Sequence, residues 1–162
     1  MITVSDTTPL SELSKIGRID ILEAVYSEIW IPQEVYDEVT TGTHPATELV
    51  QSLNWIKVRA IERRQDFDQI REATHLGKGE CAAMVLAEEM SATQLLMDDL
   101  MGRRVALSRG LPVVGTVGAV LLAKRRGVVL SVKDILDDLI ASGKWIGSRL
   151  YQDALAVANE NT

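Results

Sequence analysis

Apolar positions in this chain switch between a two-residue and a three-to-four-residue spacing, and each switch marks a change of element. Ile2-Thr3-Val4-Ser5 alternates, is β-branched, and breaks at Asp6-Thr7-Thr8-Pro9, which predicts a short strand running into a turn. Leu10, Leu13 and Ile16, then Ile19, Leu22 and Val25, fall at helical spacing on either side of Gly17, so two short helices follow. Ile29-Trp30-Ile31 reads as a strand, and Pro32 opens a helix over Gln33 to Val39 that ends near Thr41-Gly42. A further helix is expected from Ala46 to Leu53 and a strand from Trp55 to Val58.

Residues 59 to 76 are highly charged with few apolar anchors and read as a partly helical excursion. Gly79 to Met90 is the clearest helix, with Ala82, Ala83, Val85, Leu86 and Met90 on its apolar side. Gln94 to Met97 is then a strand, Leu100 to Ser108 a helix, Pro112 to Val114 a strand and Val117 to Arg126 a helix. Ser131 with Asp134 forms a capping box ahead of Ile135, Leu136, Leu139 and Ile140, and a last helix covers about Ser148 to Ala158. Strands alternating with helices predict an α/β fold, a mostly parallel sheet covered on both faces. No repeat, low-complexity tract or linker interrupts the pattern, so one domain is expected over 1–162, with a core over about 1–126 and terminal helices over about 131–158.

Composition narrows the class. The chain has 162 residues, 46% hydrophobic and 25% charged, as an ordinary globule has, but only 4% aromatic, so Leu, Ile, Val and Ala must fill the core. Cys81 is the single cysteine, which excludes an internal disulfide or a Cys-rich zinc site and suits a reducing cytoplasm. The N-terminus lacks the pattern of a secretion signal, and the longest uncharged run, Leu111 to Ala123, is shorter than the about 20 residues of a membrane helix. A cytoplasmic protein is expected. The net charge of −6 argues against general affinity for nucleic acid, so any contact with phosphates must be local or lean on metal ions.

Candidate chemistry gathers at strand ends. Asp6 follows the first strand and Asp98-Asp99 follow Leu95-Leu96-Met97. In a parallel sheet such ends lie side by side on the ligand edge. Glu80 stands in the first turn of the helix before the Asp98 strand, and Glu38 late in the helix after Pro32. Two carboxylates about 5 Å apart repel by roughly 3 kcal/mol at an effective dielectric near 20. A hard divalent cation such as Mg²⁺ or Mn²⁺ would remove that repulsion.

Each acid also has a plainer reading: a turn cap for Asp6, dipole compensation for Glu80, a solvated helix face for Glu38 and a helix N-cap for Asp98 or Asp99. Glu88-Glu89 and Asp137-Asp138 read as surface. The only histidines, His44 and His75, have no second histidine at ligand spacing, no serine sits in a G-x-S-x-G elbow, and Gly77-Lys78-Gly79 lacks phosphate-loop spacing. The amides of Gly115-Thr116-Val117-Gly118 could hold a phosphate, although close helix–sheet packing explains the glycines equally well.

Five segments, taken together and in order, resemble the PIN-domain family, specifically its small prokaryotic members related to VapC-type toxins. They are Val4-Ser5-Asp6-Thr7-Thr8-Pro9-Leu10, Ile31-Pro32-Gln33-Glu34-Val35-Tyr36-Asp37-Glu38, Gly77-Lys78-Gly79-Glu80, Leu95-Leu96-Met97-Asp98-Asp99 with Arg103, and Val114-Gly115-Thr116-Val117-Gly118. The resemblance implies a three-layer α/β/α fold and acids holding one or two Mg²⁺ or Mn²⁺ ions that activate a water against an RNA phosphodiester. By position, Asp6, Glu38, Glu80 and Asp99 take the acidic roles. Glu80 stands where the better-known toxins have Asp, and Met97-Asp98 replaces their Thr-x, so Asp98 is an alternative ligand to Asp99. Thr7, Arg103 and Thr116 lie in the matching segments and are the expected substrate contacts, while Arg63, Arg64, Arg71 and Arg104 are further candidates for phosphate. The implied protein is a metal-dependent endoribonuclease, the toxin of a toxin–antitoxin pair, partnered by RNA, a cognate antitoxin and a second copy of itself. Two other readings stand beside it: a PIN-like module that binds RNA or protein without cutting, and a receiver-type phosphoacceptor suggested by Asp98-Asp99. The second is disfavoured because such a pair normally ends the first strand.

Overall fold

Five short strands alternate with ten helices in a computed structural model that describes residues 1–41, 43 and 46–161. The strands are β1 (Thr3–Ser5), β2 (Ile29–Ile31), β3 (Ile56–Val58), β4 (Gln94–Leu96) and β5 (Val113–Val114). The helices are α1 (Thr7–Lys15), α2 (Asp20–Tyr26), α3 (Gln33–Val39), α4 (Thr47–Ser52), α5 (Arg64–Thr74), α6 (Lys78–Glu89), α7 (Leu100–Ser108), α8 (Thr116–Arg125), α9 (Val132–Ala141) and α10 (Ser148–Val157). The expected strands and helices form, most with boundaries moved by a residue or two; the turn expected at Asp6-Thr7-Thr8-Pro9 is instead the N-cap and first turn of α1, where Pro9 needs no amide partner. The expected helix end at Gly42, and His44, lie outside the described residues.

The sheet is entirely parallel, in the order β3-β2-β1-β4-β5. It is a three-layer α/β/α sandwich because adjacent strand residues point to opposite faces. Ile29, Ile31 and Leu96 enter the apolar layer formed with α1, α2, α8 and α9, whereas Val4, Leu95 and Met97 enter the layer formed with α5 and α6. Helix α6 is apolar nearly all round, with every residue from Cys81 to Ala87 buried, since it lies between the sheet and α5. The charged excursion is anchored by Phe67 and Ile70, the two buried residues of α5.

The strand order turns the chain outward from β1 to β3, then restarts it at β4 on the other side of β1. The carboxyl ends of β1 and β4 therefore meet at the switch point where open α/β sheets bind ligands. Their register pairs Ser5 with Leu96, and the Asp6 amide donates to the Leu96 carbonyl at 2.9 Å, which places Asp6 beside Met97-Asp98.

The C-terminal helices close one side. Ile135, Leu136 and Leu139 are buried, while Ile140, Trp145 and Leu150 are exposed. Ser131 caps α9 by accepting from the Asp134 amide at 3.1 Å. A second cap comes from the far end of the chain, where Glu160 accepts from the amides of Val132 (2.8 Å) and Lys133 (3.0 Å) and pairs with Lys124 at 2.8 Å. No helix among the described residues is long and apolar enough to cross a membrane.

Candidate active site

Asp6 is the best-buried carboxylate of the edge, 4% exposed, because its backbone completes the β1–β4 ladder before α1 begins. Glu38 reaches the same place from α3. The two meet over Gly79 in the first turn of α6, where a Cβ would stand 2.7 Å from Glu38 Oε2 and 3.3 Å from Asp6 Oδ1. Glycine there lets the two carboxylates approach without displacing Glu38. Glu80, the next residue, is half-buried on the same helix turn.

Charge is concentrated accordingly. Burial first, then the negative fields of Glu80, Glu38 and Asp98, push Asp6 up to about 7 against the lowering effect of a hydrogen bond from the Thr7 amide. Glu80 is also raised, chiefly by burial, then by Asp99 and Glu38. The Thr7 hydroxyl is buried beside Asp6 without a hydrogen-bond partner. Neighbouring Cys81 is pushed up to about 11, chiefly by burial, and stays a neutral thiol rather than a nucleophile.

Asp98 and Asp99 differ sharply despite being adjacent. Asp98 accepts from the Thr116 amide and from the Thr116 hydroxyl, both at 2.6 Å, and pairs with Lys144 at 3.0 Å. The N-terminus of α8 thus holds the protein's own carboxylate, where a phosphate had been one option. Asp99 caps α7, accepting from the Gly102 amide at 2.7 Å, and is otherwise exposed. Arg103 does not pair with Asp99. Its guanidinium donates to the Met97 carbonyl at 3.2 Å and, with Asp98 Oδ1, crowds Gly115, where a Cβ would meet them at 2.8 and 2.9 Å.

The structure therefore brings Asp6, Glu38, Glu80, Asp98 and Asp99 to one edge, with Thr7, Arg103 and Thr116 among them. Of the excursion's arginines, Arg63 pairs with Asp66 and Glu88, whereas Arg64, paired with Glu34 and stacked over Phe67, lines one cavity together with Glu38 and Lys78. Lys144 is the site residue that sequence reasoning missed. It lies 46 positions from Asp98, and no spacing rule connects them.

A divalent cation suits this donor set in kind. The ligands on offer are carboxylate oxygens, and of the five acids only Asp98 has an ion-pair partner among the described residues. As the side chains stand, no three acidic, His or Cys groups among the described residues are gathered tightly enough to hold an ion.

A family model described as a PIN domain matches residues 2–160. No curated protein and no solved structure matches the chain.

Proposed function

Since this chain belongs to the PIN-domain family, we propose that it is one PIN domain acting as a Mg²⁺- or Mn²⁺-dependent endoribonuclease, the toxin of a toxin–antitoxin pair. The observation that carries the reading is Asp6, buried without a cation partner and crowded against Glu38 across Gly79. Isolated buried carboxylates are costly unless something offsets their charge, and a site that binds ligand is where such a cost is retained.

Asp6, Glu38, Glu80 and Asp99 would hold the metal, whose chemistry is to lower the pKa of a water and to offset charge on the phosphate. Asp6 is the fixed member, since its backbone is locked into the sheet. Glu38, exposed on α3, and Glu80, half-buried on α6, have the longer side chains and are the adjustable members. Asp98 acts at one remove: by holding Thr116 and Lys144 it fixes the wall beside Arg103, which is left to meet a phosphate. Thr7 supplies a buried hydroxyl next to Asp6 for a ligand to engage. An antitoxin as inhibitor and a homodimer as working form complete the proposal, and exposed Ile140 and Val157 on the last helices support association between copies.

A second reading, a module that binds RNA without cutting it, is favoured by one observation: the acids do not form a coordination shell as they stand. Thermal unfolding in millimolar Mn²⁺ tests for the metal site itself. A ligand that binds only the native state raises its melting temperature, and Asp6→Asn should remove most of that rise. Equal rises in wild type and variant would overturn the shared site.

A further inference from the structure

Beside the acidic edge, and sharing Asp98 with it, lies a cavity of ≈ 670 Å³ walled by Val113, Val117 and Leu121. That volume is in the range of sites for single small ligands, about 300–1,000 Å³. At its rim Trp145 is 87% exposed, with Leu100 64% exposed and Leu150 50% exposed. Contiguous apolar groups left in water beside a concave, partly charged site mark a binding surface.

The backbone that carries Trp145 is anchored. The preceding residue is fixed twice, by the Lys144 amide donating to the Leu139 carbonyl at 3.0 Å and by the Lys144 ammonium on Asp98. The indole lies across Gly147, where a Cβ would approach it to 3.2 Å. One part of the ring is thus backed by main chain, and the rest is open.

The charge at the inner end favours an anion. Lys144 and Thr116 offset Asp98, while Arg103 has only a carbonyl partner and forms no ion pair among the described residues. In a chain of net charge −6 this is a local exception. A flat aromatic plate and a guanidinium lining one cavity that shares Asp98 with the acidic edge match single-stranded RNA, whose unpaired bases stack on aromatic side chains while its phosphates seek Arg. An apolar peptide would have no use for Arg103.

We propose that this cavity is the subsite for the nucleotide next to the scissile phosphate, with its base stacked on Trp145 and its phosphate against Arg103. The proposal rests on the ribonuclease reading and deepens it. The test uses the full chain in chelator, where nothing is cut, with labelled single-stranded RNA hexamers of each base, read by fluorescence anisotropy across a salt series. Trp145→Ala should weaken the best hexamer about tenfold while keeping its salt dependence, and Trp145→Phe should restore most of the affinity. Arg103→Ala should reduce the salt slope by about 1.

Wild-type affinity in Trp145→Ala overturns the subsite. So does failure of every hexamer to bind wild type, or loss of self-association on light scattering in Trp145→Ala with RNA affinity unchanged, which would give the surface to a second copy. Trp145-dependent binding without metal-dependent cleavage would keep the subsite and remove the nuclease. Cleavage that depends on Asp6, with binding indifferent to Trp145, would do the reverse.

Discussion

Lys144 Nζ lies 3.0 Å from Asp98 Oδ2, with the two side chains 13% and 15% exposed, and this pair ties the loop between α9 and α10 to the end of β4. Removing one partner of a mostly buried pair leaves the other charge uncompensated, which costs more than an exposed pair contributes. Asp98→Asn should therefore destabilise the protein by about 2–4 kcal/mol in denaturant unfolding. Asp99→Asn, at an exposed helix cap, should cost about 1 kcal/mol or less. Equal losses in the two variants would contradict the division of labour between these neighbours.

Asp6 makes stability depend on pH in an unusual direction. Its folded value of about 7 lies above the ordinary 3.8, so between those values the native state holds a proton that the unfolded chain has released. Without metal, stability from this group is complete below about pH 4, falls as pH rises toward 7, and is flat above. The total is at most about 4 kcal/mol. Asp6→Asn should abolish this slope and be at least as stable as wild type at pH 8 in chelator, as chemical unfolding across the pH range will show.

Glu160 behaves in the opposite sense. Burial alone would raise it, but Lys124 and the amides of Lys133 and Val132 hold it down to about 2. Its contribution is present above about pH 4.5 and is lost as pH falls toward 2. Glu160→Gln should lower neutral-pH stability by about 1–2 kcal/mol through the α9 cap and the Lys124 contact, and should shrink the acid-induced loss. Melting curves at pH 7 and pH 3 measure both effects.

Gly79→Ala separates fold from site. A methyl group there meets Glu38 Oε2 at 2.7 Å, the far end of a flexible side chain, so Glu38 yields and the helix stays. The variant should melt within a few degrees of wild type yet lose at least tenfold in cleavage rate and most of its Mn²⁺-induced stabilisation.

Much of this was legible in the chain, for reasons that vary with the residue. Strand ends at Asp6 and Asp98-Asp99 follow from β-branched or apolar runs broken by polar residues. Pro32 and the Ser131–Asp134 spacing announce helix starts because their local chemistry suits only those positions. Three things were hidden. Lys144 reaches Asp98 by tertiary folding alone, without local signature. Arg103 stands one helical turn after Asp99 in the chain, yet its guanidinium donates to the Met97 carbonyl at the strand end. Glu89 looked like helix surface, yet its carboxylate accepts from the Glu62 amide at 3.0 Å and the Arg63 amide at 3.2 Å, capping the excursion before α5. Lys144 and Glu89, whose partners lie 46 and 26 to 27 positions away, leave no periodic trace in the sequence.

The most direct measurement is cleavage of single-stranded RNA by the purified full chain, freed of any bound partner protein, with Mn²⁺ or chelator, for wild type and Asp6→Asn. The account predicts chain scission by wild type with Mn²⁺, none in chelator, and a loss of several orders of magnitude in Asp6→Asn with melting temperature preserved. Wild type that leaves a broad panel of RNAs intact in Mn²⁺, or Asp6→Asn that cuts as fast as wild type, would contradict it.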